Sequence, residues 1–303
     1  MLWLQNILSR TSEQVIMEMN LVRPVAAAMA SILVAGRSFR KKSLDISGAI
    51  FAVFVMTIHI TVNYRFAAIL LAFFFTSSKL TKIGEDRKRK VDADFKDGGQ
   101  RNWIQVLSNS GIATLLVLIT WKLVGAHDYC LDAKESPLLT SLAGGIIGHY
   151  CCCNGDTWSS ELGVLSDEQP RLITSFKPVR KGTNGGVTKA GLLAAAAGGS
   201  VIGLTFFLLG LVTTNCAFDV SKKQLFVIPL SALFGLCGSV IDSLLGATLQ
   251  YSGFCTVRNK VVGKPGPTVK KISGLCILDN NAVNLLSILL TSLLSSIAFS
   301  YVF

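Results

Sequence analysis

The chain has 303 residues, half of them hydrophobic and only 16% charged, and its mean hydropathy is +0.53, whereas soluble domains carry about 25% charged residues. Its apolar residues come in lipid-length blocks rather than at amphipathic spacing, which excludes a soluble domain with a single anchor. The formal net charge of +11 leaves nucleic acid, an anionic membrane surface or a phosphorylated substrate as partners, to be separated by where the charge lies.

The first twenty residues contain Glu13 and Glu18 and lack a basic start followed by a clean apolar core and a small-residue cleavage site, so they are expected to be retained rather than cleaved. Apolar runs then predict spans at 21–36, 46–62, 66–77, 110–126, 138–153, 191–213, 225–247 and 284–303. The expected fold is all-α: one integral membrane bundle of about eight transmembrane helices. Between 46 and 77 only Asn63, Tyr64 and Arg65 interrupt the run, so a re-entrant hairpin is the alternative there. The predicted polar loops 37–45, 78–109, 154–190 and 248–283 hold 22 of the 29 Lys and Arg residues. Because basic residues mark cytosolic loops, this asymmetry predicts eight crossings with those four loops in the cytosol.

The same placement argues against nucleic acid. The basic run GEDRKRKVDADFKD (84–97) is interleaved with five acids and one aromatic, Phe95, and reads as a solvated loop attracted to the lipid surface. None of the eight cysteines stands in a CxxC pair, and consecutive Cys151, Cys152 and Cys153 suit packing or lipidation better than metal binding. The three histidines are dispersed. His59 and His149 lie in apolar stretches, so no Ser/His/Asp machinery is expected.

Four segments on the predicted cytosolic face mix chemistry-bearing residues. In NGDTWSSELG (154–163), Asp156 and Glu161 are oxygen ligands of the kind Mg²⁺ uses. They are five apart, so a helix separates them, and a turn at Gly155 would be needed to join them; the plain alternative is that Asp156 caps a helix starting at Thr157. In PRLITSFKPVRKGTNGG (170–186), Lys177, Arg180 and Lys181 precede Gly182, Thr183, Asn184, Gly185 and Gly186 before a helix, an arrangement that suits a phosphate or a flexible flanking turn. Asp242 lies inside a predicted span, where a carboxylate costs about 2.5–3.5 kcal/mol on insertion scales. It is expected to face a polar cavity or to pair with Lys122. LDNNAVN (278–284) offers Asp279, Asn280, Asn281 and Asn284 where the chain re-enters lipid, as a cap or as metal ligands. SSKLTK (77–82) and GGQRNW (98–103) add Arg101, which grips phosphate with two N–H groups, and Trp103, an interfacial anchor.

Taken in order, KKSLD (41–45), SSKLTK, GGQRNW, GDTWSSELG, PRLIT, KGTNGGVT, IDSLLGATLQYSG and LDNNAVN resemble the integral membrane family that contains animal transmembrane protein 19. The family includes the chloroplast phytyl-phosphate kinase of tocopherol synthesis, and the resemblance is strongest to a plant branch of plasma membrane, glucose-responsive growth regulators. It implies a membrane lipid partner, an isoprenoid phosphate substrate, CTP or another nucleoside triphosphate as co-substrate, and Mg²⁺. On that reading Asp156, Asp242 and Arg101 are catalytic and Asp156, Glu161, Asp279 and Asn281 hold metal. Lys177, Arg180, Lys181 and the 183–186 turn would then bind phosphate. A plasma membrane or endomembrane location is expected. A non-enzymatic signalling scaffold and a small-molecule transporter are the competing activities.

Overall fold

A computed structural model describes residues 22–91 and 97–303. The N-terminal reading through residue 21 and residues 92–96 of the 84–97 run lie outside the described residues, while the basic centre of that run, predicted as a loop, is helical from Glu85 to Val91. Helices α1 (Val22–Arg40), α2 (Ile46–Val62), α3 (Tyr64–Lys82), α6 (Gly111–Val124), α7 (Pro137–Leu165), α8 (Lys189–Thr213), α10 (Val227–Leu249) and α11 (Asn280–Val302) occupy all eight predicted stretches. Short helices α4 (Glu85–Val91), α5 (Trp103–Ser108) and α9 (Phe218–Gln224) lie between them. Among the described residues, four stretches are long and apolar enough to cross a membrane: Val22–Arg40, Lys189–Thr213, Phe218–Leu249 and Asn280–Val302. Helices α2 and α6 are shorter, and α3 with α4 forms a pair bent by 75°. Large apolar side chains such as Leu33, Leu193, Val212 and Ile297 face outward, as a lipid-facing surface requires.

The central element is α7, buried without interruption from Ala143 to Gly155. It corrects the predicted 154–163 loop: all 29 residues from Pro137 to Leu165 are one helix, with no turn at Gly155. Asp156 is therefore not a cap. Gly155 serves instead as a contact between helices, since a methyl group there would stand 2.5 Å from the Gly235 carbonyl oxygen of α10. A methyl at Gly199 of α8 would lie 2.1 Å from the Ser231 carbonyl oxygen. With little hydrophobic drive between helices in lipid, such small-residue contacts supply the packing. Helix α3 likewise runs past its predicted end, so SSKLTK is helical as far as Lys82.

The chain is mostly helical rather than purely so. Two strands, β1 (Arg171–Leu172) and β2 (Gly186–Val187), pair antiparallel. A second sheet, ordered β4-β3-β5, is built from β3 (Ser252–Cys255), β4 (Lys260–Val262) and β5 (Val269–Ser273). Its hairpin turns at Asn259, whose φ is +53°, a conformation asparagine tolerates better than most residues. Both sheets lie at one end of the bundle, together with the 41–45 and 98–103 segments. Those two segments join through a parallel bridge from Leu44 to Arg101. At the other end, Arg23 donates to the Ala126 carbonyl, Leu131 and Gln224 exchange two hydrogen bonds, and Cys130 and Cys216 form a disulfide.

The packing predicts that Gly199→Val, which drives a side chain into the α10 backbone, costs roughly 1–3 kcal/mol or more. The check is the unfolding midpoint in detergent, which should fall well below that of Ala197→Val on the same helix.

Candidate functional site

The long central helix decides where Asp156 sits. Counted from Pro137 at 1.5 Å per residue, Asp156 lies about 28 Å along α7, close to the ~30 Å depth of a hydrocarbon core. Its carboxylate is hydrogen-bonded by Ser239 of α10 and feels the charges of Asp242 and Glu161. Asp242 sits one turn further along α10 and accepts a hydrogen bond from Ser287 Oγ of α11 at 3.1 Å. Both carboxylates are half-buried, while Ser239 and Ser287 are fully enclosed. The expected Lys122 partner is absent: Lys122 is exposed, and among the described residues no basic side chain forms an ion pair with either acid. Two carboxylates sharing a partly desolvated cleft repel each other, and a bound cation or a proton relieves the repulsion.

Glu161 and Arg101 belong to an adjoining layer. Lys88 Nζ meets Glu161 at 2.5 Å and also donates to the Leu80 and Thr81 carbonyls at the end of α3. Arg101 Nη1 donates to Ser78 Oγ at 2.9 Å, and its backbone is bonded to Ser43 and Asp45. Burial lowers the Arg101 guanidinium from its ordinary value, and the Glu161 carboxylate opposes that shift. Beside Arg101 opens a narrow cavity of about 50 Å³, otherwise lined largely by Leu44 and by apolar side chains of α2, α3 and α5, among them Met56, Leu70, Phe73 and Val106. Asn154, one turn before Trp158 on α7, ties this layer together: it accepts from Thr76 and Ser77 and donates to Gly198.

The glycine-rich segment folds against the Asp242 helix. Gly185 has φ +74°, and a methyl there would stand 2.5 Å from the Ser243 carbonyl oxygen. Asn184 is held by Ser252 and Tyr251, and Thr183 Oγ1 donates to the Arg180 carbonyl. The N–H groups of Thr183, Asn184 and Gly186 are bonded within the protein. Lys181 caps the carbonyls of Val164 and Ser166 at the end of α7. Arg180 stacks 3.8 Å from the Phe254 ring, and Lys177 is exposed. This loop braces α7 and α10, and its exposed cations Lys177 and Arg180 border the site rather than line it.

The predicted metal set is not gathered into one centre. Among the described residues no group of three or more His, Cys, Asp or Glu side chains surrounds a common point. Asp279 is exposed and caps α11, accepting from Ala282 N at 2.8 Å; Asn281 is half-buried in the first turn of α11. What the structure does bring together is Asp156 with Asp242, and Arg101 with the Lys88–Glu161 pair. The sequence reading missed Ser287, Ser78 and Lys88. Each serine stands one or two turns from a carboxylate or faces one across a helix pair, a relation invisible before the helices are docked. His59 and His149 are packed as expected: His59 Nδ1 meets the Val55 carbonyl and its Nε2 lies 2.7 Å from the Tyr150 hydroxyl.

A family model described as "Integral membrane protein DUF92" matches residues 29–292. The chain belongs to this family. Relatives of this DUF92 chain include Protein PGR of Arabidopsis thaliana, 69% identical over 281 residues that make up 93% of this chain and 98% of that protein. An uncharacterized membrane protein of Methanocaldococcus jannaschii is 30% identical over 63% of this chain and 68% of its own length. The protein called VTE6, chloroplastic, of Arabidopsis thaliana is 26% identical over 66% of this chain and 55% of its own length. No solved structure matches the chain. DUF92 membership agrees with the resemblance read from the ordered motifs, and makes the chain an integral membrane protein.

The buried pair yields a stability prediction. Lys88 is 5% and Glu161 17% exposed, so Lys88→Met should cost about 3–5 kcal/mol by leaving Glu161 uncompensated. Unfolding of Lys88→Met/Glu161→Leu should recover most of that loss.

Proposed function

We propose that this protein transfers a phosphoryl group to the phosphate of an isoprenoid or similar lipid at the bundle end that carries Asp156, Asp242 and Arg101. The observation that carries the reading is the unpaired Asp156–Asp242 cleft, on the same end as an arginine that closes an apolar cavity. In this scheme the phosphate meets Arg101, the first carbons of the hydrocarbon tail enter the narrow cavity between α2, α3 and α5, and the rest of the tail stays in lipid. Arg101 and Ser78 orient that phosphate, and one of its oxygens attacks the terminal phosphorus of a nucleoside triphosphate such as CTP. The bond to the adjacent phosphate breaks and the nucleoside diphosphate leaves. The chain's contribution is positioning and charge compensation, which dominate this class of reaction.

The donor set of the cleft fits Mg²⁺, which binds through one or two carboxylates and completes its shell with waters and phosphate oxygens. Asp156 and Asp242 would hold it, fixed by Ser239 and Ser287, and the ion would screen phosphate charge. Glu161, already paired with Lys88, and Asp279, already a helix cap, keep structural roles on this reading. The 26% identity to VTE6, chloroplastic supports a prenyl phosphate substrate, and the similarity to Protein PGR supports the glucose-responsive, plasma membrane setting of that plant branch.

Sidedness supports the same reading. The Cys130–Cys216 disulfide belongs to an oxidising compartment, which directs its end away from the cytosol and the opposite, basic end toward the nucleotide pool. Cys276 is the exposed free cysteine at that basic end. A membrane-impermeant maleimide should label it only after cells are permeabilised, and labelling of intact cells would reverse the orientation.

The activity test uses the full chain in detergent or nanodiscs with CTP, Mg²⁺ and a prenyl monophosphate. Asp156→Asn and Asp242→Asn should each lower diphosphate formation about 10²-fold or more, and Arg101→Lys should lower it through a weakened grip on the acceptor phosphate. Asp279→Ala should stay within a few-fold of the parent. Turnover unchanged in Asp156→Asn and Asp242→Asn would remove the cleft from the mechanism.

A further inference from the structure

A second polar cavity lies at the disulfide end of the bundle, remote from the Asp156–Asp242 cleft. Its volume is about 240 Å³, far more than the ~15 Å³ a single water needs. Arg65, the second residue of α3, borders it and is 2% exposed. Phe206 of α8 packs against one face of the guanidinium, 4.1 Å away. Its polar lining comes from Thr214, Asn215, Ser221 and Gln224, beside Gly210 and the apolar Phe207, Leu211 and Val227.

The guanidinium is incompletely satisfied. Nη2 donates to the Tyr129 carbonyl at 2.6 Å. Nε is buried without a hydrogen bond, because Asp128 lies 3.8 Å away, beyond hydrogen-bonding range. That carboxylate is held at 2.5 Å by the Asn63 amide, which draws it toward the start of α3. Among the described residues nothing accepts from Nη1, which points toward Gly210; a methyl group there would stand 3.0 Å from it. A nearly buried cation thus presents an N–H edge to an open polar cavity, and Gly210 is the residue whose lack of a side chain leaves that edge clear. Cys216 of the disulfide also lines the cavity, so the covalent link to Cys130 holds the wall that faces Arg65.

We propose that this cavity binds a small oxyanion, a phosphate or carboxylate group, that enters from the side of the protein opposite the phosphoryl-transfer cleft. The planar donor fork of arginine matches two oxygens of such a group. The Ser221 hydroxyl and the Asn215 amide supply neutral donors at the rim, and Phe206 keeps the guanidinium in place. The oxyanion arrives either as a free solute or as the headgroup of a lipid in the facing leaflet.

The test is calorimetric titration of the full chain, reconstituted in phosphatidylcholine nanodiscs, with inorganic phosphate and separately with acetate, alongside thermal unfolding in nanodiscs containing phosphatidic acid. Saturable binding of one added anion identifies a free solute. Stabilisation confined to the phosphatidic acid discs identifies a lipid headgroup. In either case Gly210→Ala, which places a methyl against Nη1, should weaken the effect at least tenfold while leaving the fold intact, and Arg101→Gln at the opposite end should leave it unchanged. The Arg101→Gln arm separates this cavity from the proposed catalytic cleft. Binding that survives Gly210→Ala, binding lost in Arg101→Gln, or no response to phosphate, acetate or phosphatidic acid would overturn the proposal.

Discussion

The close approach of α7 to α8 and α10 through residues without side chains is the constraint on which the rest of the molecule depends. Gly155 meets Gly235, and Gly199 meets the Ser231 backbone. No larger residue fits at those points without pushing the helices apart. Because the helices touch there, Asp156 on α7 and Asp242 on α10 are neighbours, and Ser287 of α11 donates to Asp242. A wider crossing would leave each carboxylate facing lipid alone, at the cost an unpaired intramembrane charge carries.

The polar residues of the bundle follow from the same packing. Asn154 uses its oxygen for Thr76 and Ser77 and its nitrogen for Gly198, joining α3, α7 and α8 through one amide. His149 meets the Asn109 carbonyl, and the His59–Tyr150 contact joins α2 to α7. In an environment without water these groups find partners inside the protein. Among the described residues, Asp156 and Asp242 at one end have no basic partner, and Arg65 Nε at the other makes no hydrogen bond. A carboxylate pair without a cation at one end, and an arginine with N–H groups left without acceptors at the other, separate candidate sites from scaffold here.

The two ends are built differently for physical reasons that a helix count does not show. One end carries most of the basic residues, two small sheets and the Gly185 turn, which brace the cytosol-type loops against α10. The other is tied by a disulfide, by the Leu131–Gln224 exchange and by Arg65 beneath Phe206. A cation needed inside the bundle is thereby held by an aromatic face and a carbonyl, with its acid, Asp128, set off at 3.8 Å.

Helix placement was legible in the sequence because a lipid core imposes a minimum run of apolar residues, and all eight predicted stretches are helical. The importance of Asp242 was legible for the same reason: a carboxylate within an apolar run stands out against its cost. Helix ends were less legible, since α3 and α7 continue through polar residues once neighbouring helices supply partners, as Asn154 and Trp158 show. The strand signals at 252–273 were present in the Asn259 turn and the β-branched residues around it, but a long polar loop masked them. Only the tertiary structure separated the acids, because Asp156, Glu161 and Asp279 look alike in sequence while one shares a cleft, one pairs with Lys88 and one caps a helix. Composition and run length set the solvent and the element lengths. Which charges meet depended on helix rotation and crossing, which are fixed by contacts between residues far apart in the chain.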